Sequence, residues 1–476
     1  MKTKTDSQQL ICVDIGSTYT KGALFALKDG KLELLDRQLS PTTVEHLPDG
    51  FYSVAKKLVP SQDWKRPDYD HDELPVFFSS SAKGGLKMAV VGLVPDMSLH
   101  IGRLAAFSAG AKVYFSYPYK LARKHIREIE SADLDILLLC GGTDGGNEFY
   151  VQANAEKLAA SSFSGTIIYA GNSTVDEEIE EILEDKKLVI TENVMPEFGE
   201  LNIEPVRTAI REIFLEQIVA GRGLKELVNK FDSRPLPTPL AVYNLAKAIG
   251  ENVPGWDSFG MLDIGGATTD FYSFCESFDP DSSDSMLKGV AEPKLKRTVE
   301  GDLGMRVTAV SSFEIGREEL VNSETLSEDE ALAMHEYTEK VAADTSYLPD
   351  LPEEKAFDFH LGGICARHAV TRHAGTMKQA YTANGRVWVQ TGKDLRKINK
   401  IIGTGGYLAS LGRENKALAV PQYEDKSDAI SLVPTDYLYY ADTQYILPLV
   451  GNLAEKYPKQ SAKLAIELLN QIKIKD

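Results

Sequence analysis

Cysteine is scarce: the chain has four in 476 residues, Cys12, Cys140, Cys275 and Cys365, widely separated and set mostly in apolar runs. None shares a Cys-x-x-Cys spacing with another, so a metal or redox role has no support and all four read as small buried hydrophobes. Histidine is nearly as thin, at eight. Its close pair, His368 and His373, is five apart, which does not align two imidazoles on one helix face and argues against zinc. Positive charge is short as well: 52 Lys and Arg stand against 70 Asp and Glu, a formal charge of -18. That balance disfavours generic attraction to nucleic acid or to an anionic membrane. No apolar run reaches the roughly 18 residues that span a bilayer, and MKTKTDSQQL holds no apolar core of signal-peptide length. A soluble, cytoplasmic protein is expected, with neither nucleic acid nor membrane as partner. The strand-to-helix glycine loop of a P-loop protein is missing too.

What is present is enough chain for two or three domains, with an ordinary hydrophobic fraction of 43%. The opening reads as a three-stranded meander over Leu10 to Ile15, Lys21 to Leu27 and Lys31 to Gln38, turned at Asp29-Gly30. A helical pattern over Glu45 to Val59 and a strand at Pro75 to Phe78 follow. From Leu86 to Ile190 short apolar runs alternate with helical stretches: Met88 to Val94, Ala111 to Ser116, Ile136 to Cys140 and Thr166 to Ala170 read as strands. This rhythm predicts a parallel sheet with crossover helices, a flavodoxin-like or Rossmann-like inserted unit. Asn202 to Lys230 is mostly helical, and the proline cluster at 234 to 239 is expected to stop the helix and mark a junction. Glu276 to Lys296 reads as an exposed loop, 314 to 339 as charged helix, and Tyr347 to Lys355 as a linker whose acids face solvent.

Two stretches repeat one pattern about 250 positions apart: ICVDIGSTYTKG at 11 to 22 and MLDIGGATTDF at 261 to 271. In each, an apolar strand runs into Asp-Ile-Gly, small residues and hydroxyls. Glycines let backbone N–H groups approach an anion, Ser and Thr add donors, and the Asp can hold a hydrated divalent cation beside it. One such turn is weak evidence, since hairpins use similar ones. Two, on similar strands in separate halves, predict that Asp14 and Asp263 converge on one cleft and that the loops grip β- and γ-phosphates with Mg²⁺ between them. A third element, KIIGTGGYLA at 400 to 409, is a strand entering a glycine-rich turn and then a helix, suited to a flat nucleoside.

In this order the three elements resemble the superfamily of ATPases that includes actin, the heat-shock chaperones and the sugar kinases. More narrowly, the chain resembles the MutL family of glutamate mutase accessory proteins, unrelated to the mismatch-repair protein of that name. The resemblance rests on SSSAKGGLKM (79 to 88), VGLVPDMSL (91 to 99), LLLCGGTDGGN (137 to 147), ENVMPE (192 to 197), LPTPLAV (236 to 242), DIGGATTDFYS (263 to 273), VEGDLGMR (299 to 306), RHAGT (372 to 376) and IIGTGGYLA (401 to 409). It implies an α/β fold of duplicated actin-like, ribonuclease H-like halves: a first half over 1–85, an inserted α/β domain over 86–195, a helical connection over 196–255 and a second half over 256–476. It also implies ATP and Mg²⁺ as cofactors, and an adenosylcobalamin-dependent mutase or aminomutase as partner, which an ATP-driven hinge motion would relieve of damaged cobalamin. By position, Asp14, Gly16, Ser17, Thr18 and Lys21 would form the first phosphate loop. Asp263, Gly265, Gly266, Thr268, Thr269 and Asp270 would form the second, and Gly403, Thr404, Gly405 and Gly406 would face adenosine. Asp14 and Asp263 are the expected catalytic pair, each holding Mg²⁺ through water.

The inserted unit carries Gly141-Gly-Thr-Asp-Gly-Gly146 at the carboxyl end of a strand, where open α/β sheets bind ligands; it reads equally as a tight turn or as a ligand or interface loop. Asp96 and His100 stand four apart rather than the two of Asp-x-His-x-x-Gly, which argues against cobalamin ligation by His100. Docking by shape mimicry of a cobalamin domain stays open. Arg297, Glu300, Asp302 and Arg306 read as an internal salt-bridge network ahead of a catalytic set, and Arg372 and His373 as a basic helix end on its own carbonyls, with nucleotide or partner contact as the alternative. A small-molecule kinase of the same fold, or an assembly protein that retains nucleotide without turnover, remain the alternatives.

Overall fold

A computed structural model of the chain describes all residues except 1–6, 17, 44, 67, 82–85, 220–222, 279–284, 383–384, 412–428 and 473–476. The chain divides into two units, Met1–Ala248 with Pro448–Leu464, and Ile249–Leu447 with Ala465–Asp476. The first unit holds the strands β1 (Gln8–Ile15), β2 (Tyr19–Lys28), β3 (Lys31–Pro41), β4 (Val76–Ser80), β5 (Lys87–Gly92), β6 (Lys112–Pro118), β7 (Ile136–Leu139), β8 (Thr166–Tyr169), β9 (Lys187–Ile190) and β10 (Leu236–Pro237).

They form two sheets. In the first, ordered β10-β4-β1-β2-β3, the opening meander pairs antiparallel while β4 runs parallel to β1. Asp29 and Gly30, with φ of 51° and 74°, make the two-residue turn that the right-handed twist of a hairpin favours. The helix Leu47–Leu58 buries Phe51, Val54, Ala55 and Leu58, the spacing of a single helical face. That face lies on β2 at Gly22, where a Cβ would stand 2.4 Å from Val54.

The second sheet, β6-β5-β7-β8-β9, is wholly parallel. Its strand order in sequence terms is 2-1-3-4-5, that of flavodoxin. The runs MAVVG, ILLL and TIIY are apolar almost throughout because helices cover both faces of such a sheet. β9 had no counterpart in the sequence reading. The first helix of this unit, His100–Ser108, is preceded by a π-turn at Pro95–Leu99. The proline cluster corrects another expectation: it does end the helix Leu224–Phe231, yet Thr238–Asn252 is itself helical, with Pro239 as its second residue. There a missing N–H costs nothing.

The second unit contributes β11 (Phe259–Ile264), β12 (Thr269–Phe274), β13 (Ser285–Lys288), β14 (Leu295–Glu300), β15 (Thr376–Thr382), β16 (Gly385–Thr391), β17 (Lys400–Thr404), β18 (Ala429–Ser431), β19 (Leu438–Ala441) and β20 (Asn470–Ile472). The order β14-β12-β11-β17-β19-β20 repeats that of the first sheet read from β3 to β10, with the same sequence of antiparallel then parallel pairings. The fold is therefore the duplicated α/β architecture of actin-like ATPases, with a flavodoxin-like sheet added to the first half.

Two further expectations need correction. The supposed loop 276 to 296 contains β13 and enters β14, and β13 joins a separate sheet, β13-β16-β15-β18, that the sequence reading did not foresee. The supposed linker runs into the 22-residue helix Pro352–His373. Its acids Glu353, which is exposed as expected, and Glu354 lie in the first turn, where they also complement the helix dipole. The four cysteines are all buried and free. Among the described residues no helix is long and apolar enough to cross a membrane.

Candidate functional site

The first turn begins where β1 carries its buried apolar run to Asp14 and Ile15. Gly16 donates its N–H to the carbonyl of Tyr19 at 3.1 Å, and a Cβ there would lie 2.8 Å from that same oxygen. Thr42, just beyond β3, ties the turn from outside: its hydroxyl donates to the Gly16 carbonyl at 2.9 Å and its N–H to the Thr18 carbonyl at 2.9 Å. Thr18 is exposed and Lys21 half-buried, the latter opposite Asp14 in register. Ser17 lies outside the described residues, as does part of the SSSAKGGLKM stretch.

Asp14 is buried, at 1% exposure. Its Oδ1 accepts hydrogen bonds from the hydroxyls of Ser79 at 2.8 Å and Thr238 at 2.6 Å. Asn452 in turn donates to the Ser79 hydroxyl at 3.2 Å and the Val13 carbonyl at 3.4 Å. A carboxylate taken out of water needs such donors, and here they orient it. Ser79, Thr238, Asn452 and Thr42 were all missed by the sequence reading. Only the hydroxyl-rich end of β4 offered a signal.

The second turn repeats the first. Gly265 donates to the Thr268 carbonyl at 2.9 Å, the same three-residue step that joins Gly16 to Tyr19. Its carbonyls are taken up by the segment after β14: Met305 N–H donates to Gly265 at 3.1 Å, Arg306 N–H to Gly266 at 2.8 Å, and the Thr308 hydroxyl to Ala267 at 3.2 Å. Asp263, Gly265 and Thr268 are half-buried and Gly266 is exposed. The next two residues face inward. Thr269 donates to the Leu303 carbonyl at 3.0 Å, and Asp270 accepts from Arg297 Nε at 2.8 Å with Nη2 at 2.5 Å. Arg306 makes a bidentate pair with Asp358 at 3.0 and 2.9 Å. The polar string around VEGDLGMR is thus a set of ion pairs.

The RHAGT expectation does not hold in its local form. Arg372 donates to Glu300 at 2.8 Å and Asp302 at 2.7 Å, rather than to its own helix. His373 is fully buried, with Nε2 2.7 Å from the Ser273 hydroxyl and Nδ1 2.8 Å from that of Thr298. Burial lowers its basicity well below the ordinary histidine range.

The third element adjoins the second turn. Gly405 has φ of 111°, and a Cβ there would lie 2.3 Å from the Ile264 carbonyl, so only glycine lets this chain pass the end of β11. Thr404 donates to Asp442 Oδ2 at 2.9 Å, and Asp442 also accepts the N–H groups of Ile446 and Leu447 at 2.9 and 3.1 Å. Burial raises the Asp442 carboxyl. Gly403 sits against the Tyr439 ring, whereas Gly406 is exposed and a Cβ on it would meet nothing within 4 Å.

Chemically, both turns leave the carboxyl ends of strands that pair in parallel, β1 with β4 and β11 with β17, the position at which open α/β sheets receive ligands. At Gly266 an added Cβ would meet only the Arg306 side chain, at 3.5 Å, and at Gly406 it would meet nothing within 4 Å, while Asp263 is half-buried. Gly403, Gly405, Thr269, Asp270 and Thr404 shape and brace these elements from within.

The model of the MutL protein family matches residues 10–469. The chain is 35% identical over 468 residues to Protein MutL of Clostridium tetanomorphum, covering 97% of this chain and 99% of that one. Among solved structures, gluconate kinase from Lactobacillus acidophilus aligns at 12% identity with a TM-score of 0.32, over 98% of this chain and 93% of that chain. The activator of the 2-hydroxyisocaproyl-CoA dehydratase from Clostridium difficile, with bound ADPNP, aligns at 11% identity and a TM-score of 0.26, over 98% and 100%.

Proposed function

This chain belongs to the MutL protein family, and from that premise we propose that it is an ATP-dependent reactivating factor for an adenosylcobalamin-dependent mutase or aminomutase. The observation that carries the nucleotide half of the reading is the repeated turn, Gly16 to Tyr19 and Gly265 to Thr268, each closing on an Asp-bearing strand in a sheet of the same order.

In this reading Gly16, Ser17, Thr18 and Lys21 are the phosphate-binding residues of the first unit, and Gly265, Gly266 and Thr268 those of the second. Gly406 gives adenosine a flat backbone to lie on. Asp263 orients water around Mg²⁺, and Asp14, fixed by Ser79 and Thr238, supplies charge from a set position. Mg²⁺ bound with ATP would neutralise charge on the phosphates. The protein's own contribution is positioning and amide dipoles aimed at phosphoryl oxygens, a contribution that needs no reorganisation during reaction. What supports coupling to a mutase is the resemblance to the glutamate mutase accessory proteins.

The test is ATP hydrolysis by the wild type and by Asp263→Ala, each with and without a cobalamin-inactivated glutamate mutase or aminomutase. Hydrolysis stimulated by the mutase, and lowered about a hundredfold or more by the substitution, supports the reading. A phosphorylated metabolite would establish a kinase instead, and nucleotide retained without turnover an assembly protein.

A further inference from the structure

The flavodoxin-like sheet has no place in the nucleotide chemistry, and its carboxyl edge is unusual in what it exposes. Both exposed phenylalanines among the described residues lie there: Phe149, 60% exposed, beyond β7, and Phe198, 82% exposed, beyond β9. Tyr119, 50% exposed, follows β6 at the same edge. It is held in the left-handed region, φ 62°, which a bulky side chain seldom occupies. Its N–H donates to the Gly92 carbonyl at 2.9 Å, and the buried Asn154 clamps the turn by donating to the Tyr119 carbonyl and accepting from Leu121, both at 2.8 Å. Lys120 places its ammonium 5.1 Å from the Phe149 ring centre, which joins the two aromatic positions into one patch.

These rings do not line a small-molecule pocket at the usual place. The loop after β5, where a doubly wound sheet receives its ligand, is closed by its own chain: Ser98 Oγ accepts the N–H groups of Leu93 and Val94 at 3.0 and 3.2 Å. Gly141, from the neighbouring loop, lies against Leu93 so closely that a Cβ would stand 2.9 Å away. The edge is also strongly acidic. Its loops carry Asp96, Asp144, Glu148, Glu192, Glu197 and Glu200, while the cations Lys120, Arg123 and Lys124 gather just after β6. Among the loops after β7, β8 and β9 opens a cavity of about 500 Å³, walled by Asp144, Ser173, Glu192, Glu200, Leu201 and Asn202.

We propose that this edge is the face on which the partner mutase docks: Tyr119, Phe149 and Phe198 pack on an apolar patch, and a lysine or arginine of the partner enters the acidic cavity. Exposed aromatic rings are what an interface centre is enriched in, while the acidic cavity gives the face its charge, and charge complementarity selects a partner surface that is apolar and basic. The proposal rests on the reading of the chain as a factor acting on a mutase.

It is tested with the full chain and two double variants, Phe149→Ser with Phe198→Ser, and Glu192→Gln with Glu200→Gln. Binding is measured to a cobalamin-inactivated glutamate mutase and, separately, to an aminomutase, with thermal midpoints confirming that each variant is folded. Affinity about tenfold or more weaker in the phenylalanine variant, and weaker with less salt dependence in the glutamate variant, is the expected result, with basal ATP hydrolysis unchanged. Undiminished binding by both variants would overturn the docking face while leaving the reactivating role intact. A wild type that binds neither enzyme would overturn both.

Discussion

Asp270 and Arg297 face each other across adjacent strands, two residues out of register, and form a nearly dry ion pair with Nη2 2.5 Å from Oδ1. In the first sheet the position equivalent to Asp270 is Lys21, since Asp14 pairs with Lys21 as Asp263 pairs with Asp270. The two halves therefore share the turn and its leading Asp and diverge immediately after it. In the second half the position braces the sheet.

Asp270→Ala is accordingly expected to act on stability first. Removing one partner leaves a buried guanidinium uncompensated, a loss of about 3–5 kcal/mol. Denaturant unfolding would show it. The double variant Asp270→Ala with Arg297→Met should recover much of that loss, because the charge needing compensation is gone. An Asp270→Ala protein of wild-type stability that fails to bind ATP would instead place the residue at the nucleotide.

Neighbouring glycines should respond oppositely to alanine. Gly405→Ala forces a Cβ against the Ile264 carbonyl and into a positive φ, so a large loss of stability is expected. Gly406→Ala meets nothing within 4 Å and starts a short helix, so the fold should tolerate it or gain about 0.4–1 kcal/mol. Its expected cost appears in nucleotide affinity, read by titration with a fluorescent ATP analogue. Equal affinity in Gly406→Ala and wild type would remove this residue from the adenosine site.

The turns were legible because an apolar strand running into Asp-Ile-Gly is a local pattern, and the Asp29-Gly30 hairpin was legible for the same reason. What surrounds them was not. Asn452 reaches Val13 and Ser79 from the far end of the sequence, and Thr238 reaches Asp14 from 224 positions away. No spacing rule links such residues before the chain is folded. The sequence also could not separate Thr268, half-buried at the turn, from Thr269, whose hydroxyl is spent on Leu303. Their difference is where β12 starts: it begins at Thr269 and is buried throughout, which leaves Thr268 in the turn.

Acid sensitivity should trace in part to His373. Folded, it stays neutral because burial opposes its charge, with Lys296 and Lys393 adding repulsion. Lys296 Nζ donates to the His373 carbonyl at 2.9 Å, and Lys393 Nζ lies 3.3 Å from the carbonyl of Ser273, whose hydroxyl meets the imidazole. Unfolded, the same histidine takes a proton near its ordinary value of about 6.5. The unfolded state then binds more protons below that value, so this contribution is complete above about pH 6.5 and is lost as pH falls. The slope for one proton approaches about 1.4 kcal/mol per pH unit. Guanidinium unfolding of the wild type should therefore weaken from pH 6.5 to 5.5. His373→Gln should begin less stable, having changed its bonds to Ser273 and Thr298, and show a shallower slope over the same interval. Parallel slopes in the two proteins would mean that other groups set the acid limit.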